Sequence, residues 1–110
     1  MKLQPTLVRI GKDFEVVEVN GIEMAKGVIA VAKEFYKEGE KDVSFIYVTC
    51  FGPVAKYLGK YAVKGARMFI KEWTVNQKIN NDTMYYDFIL KQVELIDYKD
   101  KSDSDGKDNI

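Results

Sequence analysis

The fold is decided by residues 43–65, which read VSFIYVTCFGPVAKYLGKYAVKG. The first part is rich in β-branched and aromatic residues and predicts a strand over 43–51. The period then changes, because apolar residues recur at 54, 57, 58, 61 and 62, along one face of a helix. Pro53 suits a first helical position and Gly65 a C-terminal cap, so the pattern predicts a helix over 53–64.

The segments on both sides of this helix have strand patterns. Residues 6–19 and 24–33 flank the hairpin signal Asn20-Gly21, and Gly11 indicates a bulge or bend. The alanines of 24–33 would also suit a helix, but Gly27 and the preceding turn favour a strand. Residues 66–79 and 83–96 flank a polar turn. Three strands, one helix and two strands form the layout of an all-β OB-fold, a five-stranded barrel that often binds oligonucleotides.

Composition excludes most enzyme chemistry. Among 110 residues there is no His and a single cysteine, Cys50, so there is no Ser-His or Cys-His pair and no imidazole or thiolate metal site. Cys50 lies in a predicted strand, where a buried, inert thiol is the favoured interpretation. We expect no enzyme activity, no metal and no cofactor. No apolar stretch approaches the ~20 residues of a membrane span, and the start lacks a signal-peptide core, so we expect a cytoplasmic protein.

Charge is balanced overall but unevenly spread. The 17 basic and 17 acidic side chains cancel, yet residues 97–110 hold five Asp and three Lys. This segment has no apolar periodicity, which predicts a disordered acidic tail after an ordered domain spanning 1–96.

Period-2 alternation assigns the two faces of each central strand. In 43–51, Ile46, Val48 and Cys50 form the predicted core side. The opposite, outward side carries Val43, Phe45, Tyr47, Thr49 and Phe51. In 66–79 the side opposite Met68 and Ile70 alternates cations and rings, namely Arg67, Phe69, Lys71 and Trp73. Bases of single-stranded nucleic acid stack on exposed rings while cations contact the phosphates. A single ring more often fills a core, but several rings in register with cations favour binding.

Several short motifs, in order, resemble those of one family. They are IAVAK at 29–33, FIYVTCFGPVA at 45–55, YAVKG at 61–65 and MYY at 84–86. Together they resemble the bacterial and phage single-stranded-DNA-binding proteins, and the divergent tail resembles phage members. The resemblance implies base stacking on Phe35 or Tyr36, on Phe45 and on Phe51. A fourth stacking position falls near Ile79, which has no ring, so either Trp73 replaces it or that contact is missing.

The resulting hypothesis is sequence-tolerant binding of single-stranded DNA in replication, recombination or repair. The predicted stacking residues are Phe35, Tyr36, Phe45, Tyr47, Phe51 and Trp73, and the predicted phosphate contacts are Lys33, Arg67 and Lys71. The resemblance also implies a homotetramer, with a dimer as the alternative, and replication or recombination partners recruited by the tail. One rival is an OB-fold adaptor of the primosome kind, whose aromatic faces bind proteins. The other is an enzyme with a carboxylate-only mechanism.

Overall fold

A computed structural model describes residues 1–33, 38–39 and 42–97 of the chain. It contains six strands and one helix. The elements are β1 (Lys2–Leu3), β2 (Thr6–Val19), β3 (Ile22–Ala32), β4 (Val43–Phe51), α1 (Pro53–Tyr61), β5 (Arg67–Asn80) and β6 (Thr83–Leu95).

Five of the strands close into a barrel. The ring runs β5-β2-β3-β4-β6 and returns to β5, with every pairing antiparallel except that of β4 with β6. Helix α1 follows β4 and precedes β5, so the predicted five-stranded OB barrel with one helix between its third and fourth strands is confirmed. The sequence did not predict the two-residue β1, which pairs with Thr74 and Trp73 of β5.

Two tight hairpins shape the long strand pairs. Asn20 and Gly21 both have positive φ, of 53° and 81°, and they connect the paired residues Val19 and Ile22. This is the geometry that an Asn-Gly turn favours, because it matches the twist of the strands. β3 therefore begins at residue 22, two residues before the position that the sequence predicted. An equivalent turn at residues 81–82 joins β5 to β6.

The helix is shorter than the pattern predicted. It ends at Tyr61, because Ala62 is already extended, although the Ala62 N–H still donates to the Leu58 carbonyl. Gly65, with φ of 91°, instead lies in the turn before β5, where its N–H donates to the Ile10 carbonyl at 2.7 Å. The apolar side of α1 packs against the barrel through the fully buried Ala55 and Leu58.

The core lies inside the barrel and under the helix. Its largest fully buried side chains come from nearly every element, namely Ile10, Ile29, Val48, Cys50, Leu58, Met68, Ile70 and Leu90. The Phe14 ring lies directly over Gly27, where a Cβ would come within 2.7 Å of three ring carbons. The glycine that the sequence placed in a strand therefore makes room for an aromatic core residue.

Candidate nucleic-acid interface

The outward side of β4 carries three exposed aromatic rings. The exposed fraction is 54% for Phe45, 82% for Tyr47 and 44% for Phe51, whereas Val48 and Cys50 between them are buried. Successive side chains of a strand point to opposite faces, so these three rings share one side. We call the side defined by Phe45, Tyr47 and Phe51 the aromatic face. The outward placement that the sequence predicted for it is confirmed.

A line of paired residues connects the aromatic face with two guanidinium groups. Phe45 is opposite Ala30 of β3, Ala30 is opposite Arg9 of β2, and Arg9 is opposite Arg67 of β5. Directly paired residues lie on the same face of a sheet. A Cβ at Gly11 would lie 3.3 Å from Phe45 Cδ1, so the missing side chain leaves room for the ring. The predicted irregularity at Gly11 is confirmed by a register shift of β2 against β3 there.

The two guanidinium groups on this line are held in place by oxygen atoms. Arg67 donates from Nε and Nη2 to Oδ2 and Oδ1 of Asp97, at 2.6 and 2.9 Å. The hydrogen bond and the charge of Arg67 lower the pKa of the Asp97 carboxyl, and the same hydrogen bond raises the pKa of Arg67. Arg9 donates from Nη1 to the Gly65 carbonyl at 2.8 Å. Together with Asp97 the two guanidinium groups carry one net positive charge, two and three strands away from Phe45 along this row.

The two predicted phosphate-binding lysines lie apart from each other. Lys33 follows β3, and its N–H donates to the Asp42 carbonyl at 2.9 Å, close to the start of β4. Lys71 Nζ lies 3.4 Å from a carboxylate oxygen of Glu94. Lys71 also lines a groove beside the start of α1 that includes Tyr57 and none of the rings of the aromatic face. The structure therefore groups Lys71 with the helix rather than with these rings.

Trp73 does not lie on the outward side, so this part of the expected face is wrong. The register of β5 against β6 shifts between Ile70 and Trp73, which interrupts the alternation and turns the indole inward. Trp73 is 6% exposed, and its Nε1–H donates to the Gln4 carbonyl at 2.8 Å. Its ring centroid lies 6.0 Å from that of Phe88. A buried, hydrogen-bonded indole offers no face to a base.

The remaining stacking positions implied by the resemblance are Phe35 or Tyr36 and the position near Ile79. Phe35 and Tyr36 lie outside the described residues. Ile79, the position near which a fourth stacking ring was expected, is 71% exposed near the turn of the β5–β6 hairpin. With Trp73 buried, the described residues place no substitute ring at that point of β5.

A groove beside the aromatic face is lined mostly by residues for which the sequence predicted no role in binding. Its volume is about 380 Å³, and it is lined by Lys12, Asp13, Glu15, Lys26, Gly27, Val28, Tyr47, Val48, Thr49, Tyr86, Asp87 and Phe88. We call it the tyrosine groove, after Tyr47 and Tyr86. Its members come from β2, β3, β4 and β6, and no local sequence signal would have grouped them.

The tips of both long hairpins expose apolar side chains. Val19 and Ile22, 45% and 57% exposed, flank the first turn, and Ile79 and Met84, 71% and 51% exposed, flank the second. Exposed apolar clusters of this kind often bind other proteins. They are the structural feature that best fits the adaptor hypothesis.

Cys50 is buried, as the sequence predicted. Its Sγ donates weakly to the Ala25 carbonyl at 3.8 Å. Burial raises the pKa of the thiol to about 12. Because the thiolate is the reactive form, this group is poorly suited to nucleophilic chemistry. Within residues 1–33, 38–39 and 42–97, no cluster of three or more potential metal ligands occurs.

Comparison with known proteins identifies the fold. The sequence matches no protein-family model and no curated protein. The structure is similar to the small single-stranded-DNA-binding protein of Streptomyces coelicolor, with a TM-score of 0.58 and 7% identity over 91% of this chain and 93% of that chain. It is also similar to the mitochondrial single-stranded-DNA-binding protein Rim1 of S. cerevisiae, with a TM-score of 0.66 and 20% identity over 89% and 95%. The resemblance inferred from the motifs is confirmed at the level of the fold. In the described part of the chain, α1 is much too short to cross a bilayer.

Proposed function

We propose that this protein binds single-stranded DNA with little sequence preference and acts in DNA replication, recombination or repair without catalysing a reaction. The observation that carries the proposal is the aromatic face, because three rings exposed on one strand of an OB barrel form a platform on which bases stack. Two structurally similar proteins are single-stranded-DNA-binding proteins, which supports this proposal.

The mechanism divides the work between rings and cations. Phe45, Tyr47 and Phe51 stack bases, and stacking contributes about 1–3 kcal/mol per base whatever the base is. Arg67, at the end of the row that begins at Phe45, contacts a phosphate. To do so, its guanidinium either leaves Asp97 or binds the phosphate and Asp97 together. Charge-assisted hydrogen bonds from a planar guanidinium suit a phosphate as well as a carboxylate.

Lys33 and Lys71 complete the proposed set of phosphate contacts. The Lys33 N–H donates to the Asp42 carbonyl beside the start of β4, and we infer that a strand leaving the Phe45 end of the aromatic face contacts the Lys33 ammonium. Lys71 lies beside α1, so its contribution requires a path that continues around the barrel. We also propose a homo-oligomer, because several copies that bind one strand gain from multivalency.

A direct test is the titration of a fluorescent oligo-dT and of a duplex at two salt concentrations. Phe45→Ala and Phe51→Ala should each weaken oligo-dT binding by about 1–3 kcal/mol and leave the salt dependence nearly unchanged. Arg67→Ala should flatten the log–log salt slope by about 0.7. Tyr85→Ala is the matched control, since Tyr85 is 51% exposed on the β5–β6 hairpin and is not part of the aromatic face.

The adaptor hypothesis, in which the aromatic faces bind proteins, remains the second candidate, and the exposed Val19, Ile22, Ile79 and Met84 at the hairpin tips add apolar surface that a protein partner could contact. It predicts that the Phe variants lose self-association or stability while a weak DNA affinity stays constant. Sedimentation and circular dichroism on the titrated samples would detect that result, which would refute base stacking on this face.

A further inference from the structure

We propose that the tyrosine groove is a binding slot for one nucleotide of a DNA strand, with the base against Tyr47 and Tyr86 and the flanking phosphates against Lys12 and Lys26. The inference rests on the proposed function and extends it to three residues outside the predicted set. It assigns a role to the first residues of β6, a strand that carries none of the predicted contacts.

The geometry of the groove fits a flat ring between two strands. Tyr47 is 82% exposed on β4, and Tyr86 is 55% exposed on β6, which runs beside β4 through the pairs Val48–Phe88 and Thr49–Ile89. A volume of about 380 Å³ lies within the range of sites that hold small organic groups. Tyr47 belongs to both the aromatic face and the groove, so the two form one continuous path for a strand.

Two lysines and three carboxylates line the groove, and the lysines are the lining groups that can bind a phosphate. Lys12 and Lys26 are exposed, and neither forms an ion pair with another described residue.

Two of the three carboxylates that line the groove already have partners. Asp13 Oδ1 accepts a hydrogen bond from the Lys64 N–H at 2.7 Å. Asp87 lies 2.7 Å from Lys78 Nζ. Glu15 is the remaining carboxylate; it lies opposite Lys26 in the β2–β3 pairing, although no ion pair within the described residues engages it. The lysines are therefore the groups best placed to bind an incoming anion.

The backbone brings the two lysines to the groove. Lys12 of β2 is paired with Val28 of β3, and Val28 is paired with Tyr47 of β4. The register of β2 against β3 shifts on both sides of Lys12. Lys26 lies opposite Thr49, one step along the same side. The β2–β3 hairpin therefore supplies cations along one edge of the groove, and Tyr86 on β6 supplies a ring at the other. A base can stack on a tyrosine ring only where neighbouring base pairs do not already cover its π-face, so the slot selects single strands over duplex.

The test is a fluorescence-anisotropy titration of the full chain with labelled oligo-dT of about 16 nucleotides, the upper end of the site size of one OB fold. Tyr86→Ala should weaken binding about 5- to 150-fold, and Tyr86→Phe should restore it, because the ring is what stacks. Lys12→Gln and Lys26→Gln should each flatten the log–log salt slope by about 0.7.

Two matched controls separate the slot from general effects of the hairpin and of charge. Tyr85→Ala removes a neighbouring tyrosine of similar exposure, 51%, that does not line the groove. Lys56→Gln removes a helix lysine that faces Glu23 in another groove. Both controls should bind like the wild type. Circular dichroism checks the fold of each variant, and the two groove lysine variants carry the test if Tyr86→Ala does not fold.

The outcomes separate this proposal from the one on which it rests. If Phe45→Ala weakens oligo-dT binding while the Tyr86, Lys12 and Lys26 variants match the controls, the slot is refuted and the aromatic face stands. Equal losses in Tyr85→Ala and Tyr86→Ala also refute the slot, because they indicate an effect of the whole hairpin. If the wild type does not bind oligo-dT, both proposals fail.

Discussion

Gly59 in the middle of α1 gives a sharp test of how the helix meets the barrel. Gly is about 1 kcal/mol less favourable than Ala inside a helix, so Gly59→Ala should stabilise the protein if the helix alone mattered. In the structure, however, a Cβ at residue 59 would overlap Cγ2 of Val16 on β2. Forcing an extra carbon into such a contact costs about 1–3 kcal/mol. We therefore expect Gly59→Ala to lower the free energy of unfolding by up to about 2 kcal/mol, after the gain in propensity.

The same contact predicts that the sign reverses in a second background. Val16 is 41% exposed, so Val16→Ala removes two half-buried methyl groups and should cost about 1 kcal/mol by itself. With the Val16 methyls gone, Gly59→Ala should raise stability by about 1 kcal/mol. The double-mutant cycle then gives a coupling energy of about 1–3 kcal/mol.

Urea denaturation of the four proteins, followed by circular dichroism, measures all of these quantities. For a domain of this size, 1 kcal/mol corresponds to a shift of about 4–8 °C in Tm, which provides a second measurement. A gain of about 1 kcal/mol from Gly59→Ala in the wild-type background would refute the reasoning. It would mean that the β2–β3 hairpin moves away from the helix at no cost, and that Gly59 is not needed for close packing.

Three further predictions address the indole, the tail and the thiol. Trp73→Phe should destabilise the protein by about 1 kcal/mol, because the part-buried hydrogen bond from the indole N–H to the Gln4 carbonyl is lost and only the Thr6 hydroxyl still donates to that oxygen. Oligo-dT affinity should stay unchanged; a selective loss of affinity would return Trp73 to the binding site. Truncation after Ile96 should leave Tm nearly unchanged and strengthen DNA binding, because the five Asp of residues 97–110 no longer compete with phosphates. Truncation after Asp97, which keeps the contact with Arg67, is the control. Unfolding of either form would contradict the predicted domain boundary. Burial raises the pKa of Cys50 from 9.0 to about 12, so the unfolded chain ionises first as pH rises. The contribution of the thiol to the free energy of unfolding should be constant below pH 9 and should fall by about 1.4 kcal/mol per pH unit from pH 9 to about 12. Urea denaturation at several pH values measures this change. The prediction is disproved if the free energy of unfolding changes with pH equally in the wild type and in Cys50→Ala.

The strand and helix pattern was predictable because its causes are local. The period of apolar residues changes where β4 ends and α1 begins, and Asn20-Gly21 has the backbone freedom that a two-residue hairpin requires. The outward placement of Phe45, Tyr47 and Phe51 follows from the same alternation, since nothing interrupts β4. The end of the helix was less predictable, because Gly65 fits a C-terminal cap and also fits the turn that leads into β5.

The binding surface was predictable only in part, because the rest depends on pairings between distant strands. A register shift of β5 against β6 turns Trp73 into the core. Whether β5 shifts there depends on its partner strand β6 and on the distant Gln4 carbonyl, which accepts the indole N–H. The row from Phe45 to Arg67 exists because four strands are aligned in one register.

The sequence by itself determined that this chain forms an OB-type barrel with an aromatic outer strand. The periodicity and the turn residues are local signals, each contained within a few neighbouring residues. The absence of histidine is a property of the composition, so neither kind of evidence depends on how distant strands pair. Only the tertiary structure decided which rings remain exposed, which cations accompany them, and that Tyr86 meets Tyr47 across a groove. The reason is that closing the barrel fixes the register of each strand against its neighbours, and a shift of one residue moves a side chain from the surface to the core.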